Sequence, residues 1–444
     1  MNEDISITHS EPNKRKIFIM SCIALLAIGF SFSLRTSIAG DLGSVFGKVD
    51  TLHSSTMVGS VLGVAFLGYA ITIFIGSPLL DAIGMGLLIK LSSLFLTIGT
   101  LIVVLSEKLS GAAGIYGVIW SGMVVTGIGW GLVDTVTNPL LTTLYPDNKT
   151  HKLNVLHAWW PCGIMLGGIL GLGIGYLGMS WKVKLCLTII PAVIYGIMSF
   201  SAKFPLTERA AAGVSFGGMF MELVRRPMFF IWFFAMFLTA ASELAPGQWV
   251  DLALTRTVGM KGIWLLIYVS GLMFIMRHFA GPLAHRLSPV GLLWVSCFLA
   301  GLGLWLLSVA KTPVIGFLAA TVWGIGVCYM WPTMLATVSD RYPRGGALAL
   351  GMMGTGGTLS IYFVLPIMGR IYDKAKIAAA GGEEAFKILS GEKLEEVLVV
   401  ASQTSFRYVA ILPAALLLVF GIVWLYDRAK GGYKPEKLTG GADK

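Results

Sequence analysis

Ionisable residues lie inside long apolar stretches of this chain: Arg35, Lys90, Asp134, His157, Glu243, Arg277 and His278. An ionised side chain at the centre of a bilayer costs at least about 2.5–3.5 kcal/mol, so each such residue asks for a partner or a task. Lys90, Arg277 and His278 fall toward the ends of their stretches, where a long side chain can carry its polar head back to water. Asp134 and Glu243 are short carboxylates without that reach. Carboxyls held away from bulk water are the groups a proton relay needs, which makes these two the candidate proton-coupling residues.

Helical spacing gathers further polar residues around them. Asp134 and Asn138 are four apart and share one face of a helix; Asn154, His157 and Trp160 recur at threes on the next. Hydrogen-bonding groups beside an aromatic platform fit a hydroxyl-rich solute that carries a ring. The same residues also serve hydrogen bonding between helices, and spacing leaves both readings open. Further along, Ser242-Glu243-Leu-Ala-Pro246-Gly247-Gln248 sets a carboxylate and an amide beside a Pro-Gly pair that kinks or breaks a helix. Broken helices at mid-membrane depth often line solute sites, so Gln248 joins Asn138, Asn154, His157 and Trp160 as a candidate solute contact. Arg35 precedes Glu243 by about 208 positions. That interval makes them approximate counterparts in two related halves, able to meet across a cavity as an ion pair. The alternative is that Arg35 binds an anionic solute while neighbouring hydroxyls hold Glu243.

The elements that must position these residues follow from composition. The 444-residue chain is 56% hydrophobic and 13% charged, with a mean hydropathy of +0.79. A soluble domain is about a quarter charged and could not hide this much apolar surface. In lipid only helices or closed barrels satisfy every backbone polar group, and the unbroken apolar runs of about twenty residues exclude the alternating pattern of a barrel. The net charge of +10 has no soluble domain to form a nucleic-acid surface and reads as topogenic. Cys22, Cys162, Cys186, Cys297 and Cys328 all lie in apolar runs, as core residues without disulfides. The run after Lys14-Arg15-Lys16 is too long for a cleavable signal.

Two enzyme-like motifs fail their context. Gly173-Ile-Gly175-Tyr-Leu-Gly178 ends an apolar helix with no strand before it, and Gly213-Val-Ser215-Phe-Gly217 has no sheet to form a nucleophile elbow. No nucleophile–base or metal-ligand constellation survives, so neither an enzyme nor a bound cofactor is expected.

Twelve spanning helices are expected near 17–39, 54–79, 82–105, 112–143, 153–178, 183–201, 227–254, 262–285, 287–310, 313–339, 345–370 and 405–427. They divide into an N-terminal six-helix half (1–201), a linker (202–226) partly helical along the membrane surface, and a C-terminal half (227–444). The excess of Lys and Arg on alternate loops places both termini in the cytoplasm, in a cytoplasmic membrane. The halves echo each other: Gly76-Ser-Pro-Leu-Leu-Asp81 recurs as Gly281-Pro-Leu-Ala-His285-Arg286, and Gly127-Ile-Gly129 as Gly324-Ile-Gly326. A parallel repeat of six helices is the mark of major facilitator transporters. The polar segment 371–404, with Glu383, Glu384, Glu395 and Glu396 beside Phe386, Leu389, Leu394 and Val397, fits an amphipathic helix outside the membrane.

One stretch carries a closer likeness. Gly127-Ile-Gly129, Asp134-Thr135, Asn138-Pro139, Thr142, Leu144 and Pro146-Asp147 lead into Leu153-Asn154, His157, Trp159 and Gly163. This resembles the fucose permease-like (fucose–galactose–glucose:proton symporter) family of the major facilitator superfamily, over about 35 residues. Ala65-Phe66-Leu-Gly68-Tyr69 resembles it as well. The resemblance implies that Asp134 takes the place of the family's proton-linked acid, that Asn138 and Asn154 fill matching positions, and that His157 replaces a sugar-contacting Gln. Arg35 stands in the first helix, where fucose permease-type members carry an acid.

The expectation is therefore a monomeric all-helical membrane protein, a secondary active transporter coupling a proton to a sugar or sugar-like solute by alternating access. The rival reading is an exporter of amphipathic compounds or organic anions. A membrane sensor would need an output domain that neither the termini nor the linker could supply.

Overall fold

The computed structural model describes residues 13–49 and 54–436, and among these the secondary structure is helical with no strand. Twelve elements cross the structure: α1 (Lys14–Ser37), α2 (Ser54–Ile83), α3 (Met85–Val104), α4 (Ser106–Leu144), α5 (Lys149–Tyr176) and α6 (Trp181–Phe200). They continue with α7 (Met228–Val258), α8 (Ile263–Arg277 with Ala280–Leu287), α9 (Pro289–Val309), α10 (Pro313–Arg341), α11 (Gly346–Ala380) and α12 (Gly391–Ala429). Among the described residues eleven are long and apolar enough to cross a membrane singly; α8 makes the twelfth when its two pieces, bent by 68°, are taken together.

The chain crosses as helices because each helix closes its own backbone hydrogen bonds, which lipid cannot do for it. The expected spans fall on these elements. The segment 371–404 differs: α11 runs on to Ala380, a short helix covers Glu383–Ile388, and α12 begins at Gly391. Glu383, Glu384 and Phe386 thus lie on the short helix, whereas Glu395, Glu396, Leu394 and Val397 lie on the first turns of α12.

The repeat seen in the sequence is a repeat of contacts. Gly129 on α4 lies so close to α3 that an added Cβ would stand 2.8 Å from the Leu96 amide nitrogen; its counterpart Gly326 on α10 would place one 2.2 Å from the Ala300 nitrogen on α9. Both positions need glycine because the helix backbones touch there. The turns that follow also match. Tyr145 (φ −135°, ψ 62°) and Tyr342 (φ −131°, ψ 54°) each precede a single 3-10 turn that starts at a proline.

The end of the molecule carrying both described termini is closed. Asn154 of α5 donates to Thr333 of α10 at 3.4 Å, and a Cβ at Gly351 of α11 would lie 2.0 Å from Ser77 Oγ of α2. The segment between α6 and α7 carries two short helices, Glu208–Ala211 and Phe216–Arg225, whose N-caps are Thr207 and Ser215. Ser215, the centre of the elbow-like motif, thus caps the start of a helix by accepting from the Gly218 amide at 3.0 Å. Arg209 reaches from this segment to Asp81, supplying the basic partner that the loop after α2 lacks, and Thr207 donates to the same carboxylate at 2.8 Å. Beneath the C-terminal half Arg226 holds Glu436 at 2.6 Å and Tyr433 donates to Asp340 at 2.9 Å. The Glu436 side chain stabilises the Arg226 charge, raising its affinity for its proton.

Candidate functional site

Where α1, α2, α4 and α5 face α7, α8, α10 and α11, they enclose a cavity of about 40 Å³, room for a few waters in this conformation. Asp134 projects into it from α4. Tyr69 of α2 donates to Asp134 Oδ2, while Oδ1 is buried with no hydrogen-bond partner. Glu243 enters from α7 in the same half-satisfied state: Oε1 is bonded and Oε2 is buried without a partner. Two carboxyl groups, each with one free oxygen, therefore line one cavity.

The wall on the N-terminal side is aromatic. Trp160, Phe32, Phe66, Trp130 and Tyr69 form a chain of edge-to-face contacts, with ring centroids 5.3, 6.1, 5.8 and 6.0 Å apart in that order. Such contacts fix ring orientation and contribute beyond area burial. The neighbouring Trp159 turns instead to Phe274 of α8, at 5.6 Å.

Behind this lining stands a polar layer. His157 lines the cavity, and its Nε2 meets Asn138 Oδ1 at 2.8 Å; Asn138 Nδ2 turns back to the Asp134 carbonyl at 3.3 Å. Asn138 thus orients His157 and does not itself line the cavity. Asn154 lies at the closed seam, donating to Thr333 and to the Thr150 carbonyl. The side chain of Gln248 lies outside the described residues.

Glu243 does not pair with Arg35 in this conformation; its partner is Arg277, at 2.9 Å, with both side chains under 5% exposed. Arg277 is 1% exposed and immediately precedes the 68° bend of α8, so what reads in sequence as the end of an apolar run is buried within the protein. Its other nitrogens are also occupied: Nε donates to the Cys328 carbonyl and Nη1 to the His157 carbonyl, both at 2.6 Å. Arg35 sits on the far side of the aromatic wall. Its guanidinium lies 4.9 Å from the Trp130 ring centroid, and Nη2 donates to the Leu62 carbonyl at 2.7 Å. Among the described residues no acid pairs with Arg35, which is buried on cation–π and carbonyl contacts and does not line the cavity. Among the described residues no cluster of side chains suits a metal ion.

Membrane-length helices around a buried, partly unsatisfied polar centre suit a transporter, which moves a solute between the two faces of a membrane. The chain belongs to the Major Facilitator Superfamily, whose family model matches residues 15–365. Its fold is similar to that of the proton:xylose symporter XylE, at 13% identity over 92% of this chain and 95% of that one, with a TM-score of 0.73. The E. coli fucose:proton symporter FucP is similar at 16% identity, with coverages of 91% and 98% and a TM-score of 0.65. The human organic anion transporter MFSD10 follows at 12% identity, with coverages of 92% and 100% and a TM-score of 0.66. No curated protein matches the chain by sequence.

Proposed function

We propose that the protein couples the movement of a proton to that of a sugar or sugar-like solute, by alternating access between halves 1–201 and 227–444 joined by the linker 202–226. The observation that carries this reading is the Asp134 carboxyl, which faces the cavity with Oδ2 held by Tyr69 and Oδ1 free. A carboxyl so placed can take a proton or a solute hydroxyl without first breaking an ion pair. Asp134 serves as the principal proton site in this reading, with Glu243 as a second.

His157 and Trp160 are the direct solute contacts, one a hydrogen-bonding edge and the other an apolar plate against which the carbon face of a sugar ring can lie. Asn138 acts through His157, Asn154 and Arg35 act from outside the cavity lining, and Gln248 is a further solute contact from the C-terminal half. Both termini face the cytoplasm of a cell membrane, in keeping with the basic residues near Lys14–Lys16, and the protein works as a monomer. XylE and FucP, by their descriptions, are sugar:proton symporters, which supports the same direction.

An organic anion would need a cation facing the cavity. Arg277 lines it with its nitrogens engaged, and Arg35 stands behind Trp130. The sugar reading is tested by uptake of labelled sugars into proteoliposomes with and without an inward proton gradient. Accumulation of one sugar above equilibrium only with the gradient is the expected result; uptake indifferent to the gradient for every sugar overturns it.

A further inference from the structure

In an α-helix the carbonyl of residue i accepts from the N–H of residue i+4, and a proline at i+4 leaves it without that donor. Within a membrane the vacated carbonyl must find another donor. Pro161 vacates His157 on α5, Pro332 vacates Cys328 on α10, and Pro246 vacates Ser242 on α7. The Ser242 carbonyl accepts from Trp323 Nε1 at 3.2 Å, a contact wholly within the C-terminal half. The other two carbonyls converge on one side chain, Arg277.

Of the three bonds Arg277 makes, those to Glu243 and Cys328 stay within its own half. The bond from Nη1 to the His157 carbonyl crosses to the other half, beside the cavity. Arg277 is 1% exposed, so this charged hydrogen bond lies in a low dielectric, where it is strong.

We propose that Arg277 is a latch between the halves: its bond to the His157 carbonyl, made available by Pro161, favours the conformation closed at the end bearing the termini. Arg277 here is a positioning residue, acting on the balance of conformations rather than on the solute. The inference rests on the alternating-access reading, and its test separates the two.

The test measures the distance between spin labels at Ala82→Cys and Leu287→Cys, exposed sites on opposite halves at that end. The background carries Cys186→Ser, Cys186 being the native cysteine that is not fully buried. Pro161→Ala restores a local donor for His157, and Arg277→Lys keeps the charge but not the fork that spans separate acceptors. Each should lower the ratio of short to long distances by about tenfold, the scale of losing one charge-assisted hydrogen bond. Pro246→Ala, which alters a carbonyl bonded within one half, should leave the ratio unchanged. Unchanged ratios in both Pro161→Ala and Arg277→Lys, or an equal shift in Pro246→Ala, overturn the latch. A single distance in the unaltered protein, whatever the solute or gradient, overturns the two-conformation reading and the latch with it.

Discussion

Tyr69 of α2 donates its phenolic hydroxyl to Oδ2 of Asp134 on α4, and the second oxygen of that cavity-lining carboxyl is buried with no partner. The phenol therefore sets which oxygen is available. It also ties the candidate proton site to the aromatic wall, since the Tyr69 ring packs on Trp130.

Asp134→Asn keeps the shape and removes the exchangeable proton. Gradient-driven accumulation should be lost while exchange of labelled for unlabelled solute continues. Tyr69→Phe should retain accumulation with altered pH dependence, because the carboxyl survives without its donor. Full proton-driven accumulation by Asp134→Asn would remove Asp134 from the mechanism.

His157→Ala should raise the half-saturation concentration by up to about tenfold, the scale of one lost hydrogen bond of 0.5–1.5 kcal/mol. Asn138→Ala should follow in the same direction and more weakly, because Asn138 reaches the cavity only through His157. Transport kinetics of the two single variants and the double test this. Effects of the pair that simply add would show that Asn138 acts independently of His157.

Arg277→Ala leaves Glu243 buried without its cation. Breaking a buried pair in this way costs about 3–5 kcal/mol. Thermal unfolding in detergent should fall sharply for Arg277→Ala and recover in part when Glu243→Gln is added. Arg35→Ala combined with Glu243→Gln should be additive, since those residues do not meet here. Strong coupling between Arg35 and Glu243 would point to a second conformation in which they do.

Gly351→Val sets a branched side chain where even a Cβ would stand 2.2 Å from the Ser77 Cβ. The two helices must part to admit it, so the closed end should open more often. Alkylation of a cysteine at Asn154 is the readout, with faster labelling in Gly351→Val than in its parent; equal rates would show that the seam does not hold this end shut.

The helices themselves were legible because an apolar run of about twenty residues admits one structure in lipid. The repeat was legible too, since Gly129 and Gly326 mark the same backbone contact in each half. Asp134, His157 and Trp160 could be picked from spacing, and they do share a cavity. Arg277 was harder, because its importance depends on the bend that follows it, and a run of hydrophobic residues does not display a bend. A signal did exist: each intramembrane proline leaves a carbonyl in need of a donor, and a buried arginine can supply several. Arg35 illustrates the opposite difficulty. Its position invited a charged partner, whereas an aromatic face and a carbonyl suffice to hold a guanidinium.

The 39 residues of α12 span about 58 Å at 1.5 Å per residue, nearly twice the roughly 30 Å of a bilayer's hydrocarbon core. α11, at 35 residues, is also longer than that core is thick, and the short helix Glu383–Ile388 joins the two. Most transporters of this size are buried in a featureless detergent belt and offer little for image alignment. The surplus length of this helix pair gives the protein a landmark of its own, to which an antibody fragment could be fixed.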